Sequence, residues 1–79
     1  MRDIMMTVFV KDGNKWDISN TCTDKVEIYK SLANDLLKKK IQKCDWIKSI
    51  KDTCNYDGTR TITTYYTNNV KRVYVVEDH

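Results

Sequence analysis

The stretch Asp24–Ile41, DKVEIYKSLANDLLKKKI, decides the fold. It is the segment of the chain with a sustained helical period, and β-type segments lie on both sides of it. At about 100° per residue, Val26, Tyr29, Ala33, Leu36, Leu37 and Ile41 fall on one side of a helix. Glu27, Ser31, Asp35, Lys38 and Lys39 fall on the other. The spacing predicts an amphipathic helix that buries the first set. Leu32 flanks this stripe, and Ile28 stands off it, either exposed or against a second surface. Thr23 or Asp24 can cap the first free N–H groups, and Asp24 with Glu27 is a variant of the capping box. Lys38, Lys39, Lys40 and Lys43 lie at the negative end of the helix dipole. Their run has two readings, a solvated helix end and an anion-facing patch.

The flanking segments alternate as strands do. Ile4–Val10 puts Ile4, Met6, Val8 and Val10 on one face, and Asp12-Gly13-Asn14 follows as a turn. Lys15–Ser19 alternates around Trp16 and Ile18, completing a hairpin. Trp46–Cys54 alternates imperfectly, which suits an edge position or a bulge. Asn55–Gly58 is a turn, Thr59–Thr67 is β-branched and aromatic, and Asn68-Asn69 fits a tight hairpin turn. Val70–Glu77 is apolar on both faces and belongs in the middle of a sheet or at an oligomer interface. The expected fold is α+β in ββαβββ order, one amphipathic helix on an antiparallel-dominated sheet. The right-handed crossover rule places the third strand parallel to the second. The expected sheet core is Val8, Val10, Trp16 and Ile18, then Ile50, Ile62, Val73 and Val75. On the fourth strand, Ile62 and Tyr66 are expected under the helix, leaving Thr61, Thr63, Tyr65 and Thr67 on the other face.

Seventy-nine residues make one domain, residues 1–79. A chain this short buries only about 60–65% of its unfolded surface, so a homodimer would help it. No apolar run reaches the ~18 residues of a membrane span, and Met1–Val10 lacks the plan of a signal peptide. A cytoplasmic location without membrane association is expected. Cys22, Cys44 and Cys54 are odd in number and far apart, unlike a disulfide framework or a zinc site. Cys44–Cys54 is the pair to consider under oxidising conditions. No metal or cofactor is expected.

No nucleophile elbow, phosphate loop or HExxH stands in the chain, and its one histidine is His79. The reading is therefore not an enzyme. The asymmetric feature is basic. Lys38, Lys39, Lys40, Lys43, Lys48 and Lys51 run from the helix end into the third strand, with Lys71, Arg72 and Arg60 on the neighbouring hairpin. Tyr65 and Tyr74 are sheet aromatics that could stack bases. The net charge of +3 is mild for a DNA-binding domain. These residues point to a binding protein that blocks or sequesters an acidic protein surface. The alternative is a nucleic-acid or nucleotide-binding module built on the lysine cluster and sheet tyrosines. In size and composition the chain resembles the small accessory proteins of phages and mobile elements, counter-defence inhibitors such as anti-CRISPR proteins among them.

Overall fold

The computed structural model of the chain describes residues 4–41 and 46–77, and the side chains of all of these except 39–41. Strands β1 (Met5–Asp12) and β2 (Lys15–Cys22) precede helix α1 (Lys25–Ile41). Strands β3 (Ile47–Cys54), β4 (Thr59–Tyr66) and β5 (Val70–Glu77) follow it. The strands form one sheet in the order β2-β1-β5-β4-β3, with every neighbouring pair antiparallel. This is the expected α+β class and element order. The edge strands β2 and β3 run in the same direction, as expected, because four antiparallel pairings separate them. No described helix is long and apolar enough to cross a membrane.

Local chemistry sets the boundaries. The N–H groups of Val26 and Glu27 donate to Asp24 Oδ1 at 2.9 and 3.2 Å, so Asp24 is the helix cap. The β4–β5 turn puts Asn69 at φ 62°, a conformation asparagine tolerates. In the β3–β4 turn, Asn55 Nδ2 donates to the hydroxyls of Thr59 and Thr61, and Asp57 Oδ1 accepts from the Thr59 N–H. The two-sided apolar strand β5 is the middle strand of the sheet. The imperfect alternation of β3 has both expected causes: it is an edge strand, and its register shifts between Ile47 and Ser49.

The helix face differs from expectation. The buried residues of α1 are Ile28, Leu32 and Asp35, at i, i+4 and i+7. Ile28 is fully buried, whereas Val26 is 72% exposed, Leu37 58% and Leu36 44%. Ala33 is exposed too, Tyr29 is half-buried, and the Ile41 side chain lies outside the described residues. Ile28 and Leu32 pack with Ile62, Tyr74 and Val76, and Ile4, Met6, Cys22, Tyr29 and Ile50 close around them.

Polar partners explain the choice of face. Asp35 is 3% exposed, and its Oδ2 accepts hydrogen bonds from Tyr66 and Tyr74, each at 2.6 Å. Ser31 Oγ lies 2.8 Å from the Tyr74 hydroxyl and accepts from Arg72 Nη1 at 2.9 Å. A periodicity count scores Ser31 and Asp35 as solvent-facing. The sheet tyrosines supply the partners that make their burial tolerable.

Two strand faces also depart from expectation. On β5 the covered residues are Tyr74 and Val76, and Val73 and Val75 lie on the opposite, uncovered side. On β2 a register shift between Val8 and Phe9 leaves Ser19 without a partner. Such a bulge turns the residues beyond it to the other face. Ile18 therefore pairs with Phe9, and Trp16 with Lys11, on the uncovered side. Val8 and Val10 keep the expected parity, but Val10 is exposed. Ile62 and Tyr66 face the helix as expected, and Ile50 packs at the core margin.

The stability of the fold should follow this corrected face. Ile28→Ala and Leu32→Ala should each cost about 2–5 kcal/mol, and Val26→Ala within about 0.5 kcal/mol, read from urea unfolding. Equal losses at Val26 and Ile28 would return the helix to the expected face. Burial and the hydrogen bond to Asp35 raise the Tyr66 pKa well above the usual 10.0, and burial raises that of Tyr74 in the same direction. A phenol shifted upward by folding contributes stability that is whole below about pH 10 and is lost as pH rises beyond it. The melting temperature should therefore fall above pH ~10, and less steeply in Tyr66→Phe.

Candidate interaction surface

One helix covers one side of the sheet, and among the described residues no element covers the other, bare side. Register places its side chains in rows across the strands. Met5, Val75 and Thr61 form one row, and Thr7, Val73, Thr63 and Lys51 the next. The third row is Ile18, Phe9, Lys71, Tyr65 and Ser49. Alternation along each strand requires these residues to share a face, and Trp16 joins them because of the β2 bulge.

Lys71 is the centre of this surface. It stands on the middle strand between two ring-bearing neighbours, Phe9 on β1 and Tyr65 on β4. Its Nζ lies 4.5 Å from the Trp16 ring centroid, 5.0 Å from Phe9 and 5.9 Å from Tyr65. Lys11 lies over Trp16 at 5.9 Å, and Lys51 over Tyr65 at 6.0 Å. An ammonium group above a ring face is attracted by the ring quadrupole, by about 0.5–1 kcal/mol at an exposed site. The result is a line of three cations threaded between three rings, bordered by the half-buried Val73 and Val75.

The structure divides the expected basic cluster. Lys51 and Tyr65 lie together on the bare face. Lys38 lies elsewhere, 4.5 Å over the Trp46 ring at the end of α1. Lys48 is exposed on the β3 edge, at the register shift. Arg60 belongs to the helix-side parity and grips the Asp52 carboxylate through both Nε and Nη2. The side chains of Lys39 and Lys40, and all of Lys43, lie outside the described residues, as does the Cys44–Cys54 pairing. Tyr74, expected as a stacking aromatic, is instead fully buried and bonded to Asp35.

Lys11, Phe9 and Trp16 were absent from the expected site, and Lys71 was expected only as a basic residue of the neighbouring hairpin. Lys71 opposite Phe9 and Tyr65 could have been found by aligning the hairpin registers. Trp16 could not, because nothing in KWDISN announces the bulge. A second bare surface is the outer stripe of α1, where Val26, Leu36 and Leu37 stay exposed. Among the described residues no group of three or more His, Cys, Asp or Glu side chains is placed to hold a metal ion.

Comparison with protein-family models, with curated proteins and with solved structures gives no match for this chain.

If Lys71 is held by its rings, Lys71→Met should cost about 1–2 kcal/mol in urea unfolding, since the stem is kept and the ring contacts of the charge are lost. An unchanged midpoint would show that the ammonium group is not held by the rings.

Proposed function

We propose that the chain is a non-enzymatic binding protein that acts by occupying a partner's surface, with the bare sheet face as the occupying surface. The observation that supports this most is Lys71, placed among Phe9, Trp16 and Tyr65 with Lys11 and Lys51 nearby. A partner of matching chemistry is an acidic protein surface. Its carboxylates meet the three ammonium groups, and its apolar atoms meet the rings and the Val73–Val75 rows. A homodimer through this face is disfavoured, because it sets the three lysines against their own copies. The action proposed is blocking or sequestering in the cytoplasm. That is the manner of the counter-defence inhibitors of phages and mobile elements, which the chain resembles in size and composition.

A second reading is favoured by one observation. Three aromatic rings beside lysines on an open sheet form a platform on which the bases of a single strand can stack. It ranks lower because the net charge of +3 is mild for a nucleic-acid-binding domain.

A charge-reversed face separates the readings. The variant Lys11→Glu/Lys51→Glu/Lys71→Glu should lose a partner that the wild type retains from host extract, and Lys30→Glu, on the exposed side of α1, should keep it. Oligonucleotides should not bind at low salt. An oligonucleotide affinity that falls steeply with salt would move the function to nucleic acid. Retention undiminished by the triple reversal would remove the bare face from the account.

A further inference from the structure

On the helix-covered side, a cleft of about 290 Å³ opens where the last turns of α1 meet the β4–β5 turn. Asn34, Asp35 and Lys38 line it from the helix, and Tyr66, Asn68 and Arg72 from the hairpin. Trp46, half-exposed ahead of β3, forms its outer wall. The size is at the small end of the ~300–1,000 Å³ common for ligand pockets. Two cations and two rings therefore converge on a space that fits one small molecule.

The cations are held differently. Arg72 is fixed: Nη1 donates to Ser31 Oγ at 2.9 Å, and the guanidinium carbon lies 5.5 Å from the Tyr66 ring centroid. Its Nε–H is buried and finds no acceptor among the described residues. A buried donor without an acceptor is uncommon and costly. The edge of a guanidinium that grips an oxyanion in two places is the Nε–Nη2 edge, which Arg60 uses on Asp52 in this same protein. In Arg72 the Nη1 side of the guanidinium is anchored to Ser31 and Nε is buried, so the group offers the cleft its charge and not that two-point grip. Lys38 is the adaptable cation. Its ammonium sits 4.5 Å over Trp46, which a planar ring can take over while the lysine turns to the anion. Asp35 is the acidic residue of the lining, and its Oδ2 is already taken by two phenol hydroxyls.

We infer that this cleft binds a small ring compound carrying one phosphate or carboxylate group, with the ring against Trp46 and the oxyanion between Lys38 and Arg72. The site shares no residue with the bare face, so the fate of one proposal leaves the other standing.

The test is an NMR titration that follows the Trp46 indole N–H, assigned as the indole signal that survives in Trp16→Phe. The probes are adenosine 5′-monophosphate, benzoate and adenosine. The expected result is a saturable shift with the nucleotide, with benzoate or with both, at a dissociation constant of about 1 mM or tighter. Saturation by one anion alone names the phosphate or the carboxylate as the group recognised. Adenosine, lacking the anion, should bind at least about tenfold more weakly. Lys38→Gln should weaken the anion by about tenfold; it is the informative variant because Arg72 also holds Ser31 and could not be removed without disturbing the core. The proposal is overturned by the absence of a saturable shift with either anion, by adenosine binding as tightly as its monophosphate, or by Lys38→Gln binding as the wild type does.

Discussion

Asp35 is buried against the sheet, and its Oδ2 accepts the hydroxyls of both Tyr66 and Tyr74. This contact decides how α1 sits. The helix has two apolar stripes, and by area alone the larger would face inward, since each fully buried aliphatic side chain is worth about 1.5–3 kcal/mol. The smaller stripe, Ile28 and Leu32, is the one that brings Ser31 and Asp35 inward as well. Those two meet partners on β4 and β5 that are themselves polar and buried. Turning the helix to hide Val26 and Leu37 would leave the Tyr66 and Tyr74 hydroxyls and the Arg72 guanidinium facing an aliphatic surface. Unpaired buried donors cost about 1–3 kcal/mol each, and more when charged. That loss is of the same order as the extra aliphatic burial, and the observed face avoids it while still burying Ile28 and Leu32.

This interaction also explains which parts of the fold were legible. Features that depend on one residue and its near neighbours could be read: the Asp24 cap, the Asn69 turn, the hairpins and the edge character of β3. So could the central place of β5, because a strand apolar on both faces is comfortable only between two others. The helix face was not legible, because it rests on pairing between residues about 30 to 40 positions apart, and polar residues score as outward in any periodicity count. Of the candidate site, Lys51 and Tyr65 were legible as neighbours. Trp16 was hidden by Ser19, one unpaired residue that turns Trp16 and Ile18 away from the helix. A one-residue bulge on an edge strand leaves no compositional trace.

The two sides of the sheet consequently differ in kind. The covered side pairs Asp35 with Tyr66 and Tyr74, and Ser31 with Arg72, in direct hydrogen bonds. The bare side keeps its cations over ring faces, where each single contact is weak. Fixed pairs suit a shape that must not change, and weak, replaceable contacts suit a surface that exchanges its own ammonium–ring contacts for contacts with another molecule.

The bulge at Ser19 thus has a cost and a consequence. Without it, Ile18 would fall beside Val10 on the helix side and Trp16 would follow, adding to the apolar surface there. With it, Ile18 is 64% exposed and an indole stands on the solvent side. A small domain with a thin stability margin gives up burial that would have strengthened it. What it gains is the third ring around Lys71, on the face that no element among the described residues covers. That ring holds Lys71, and under the proposed function it is part of the surface a partner meets.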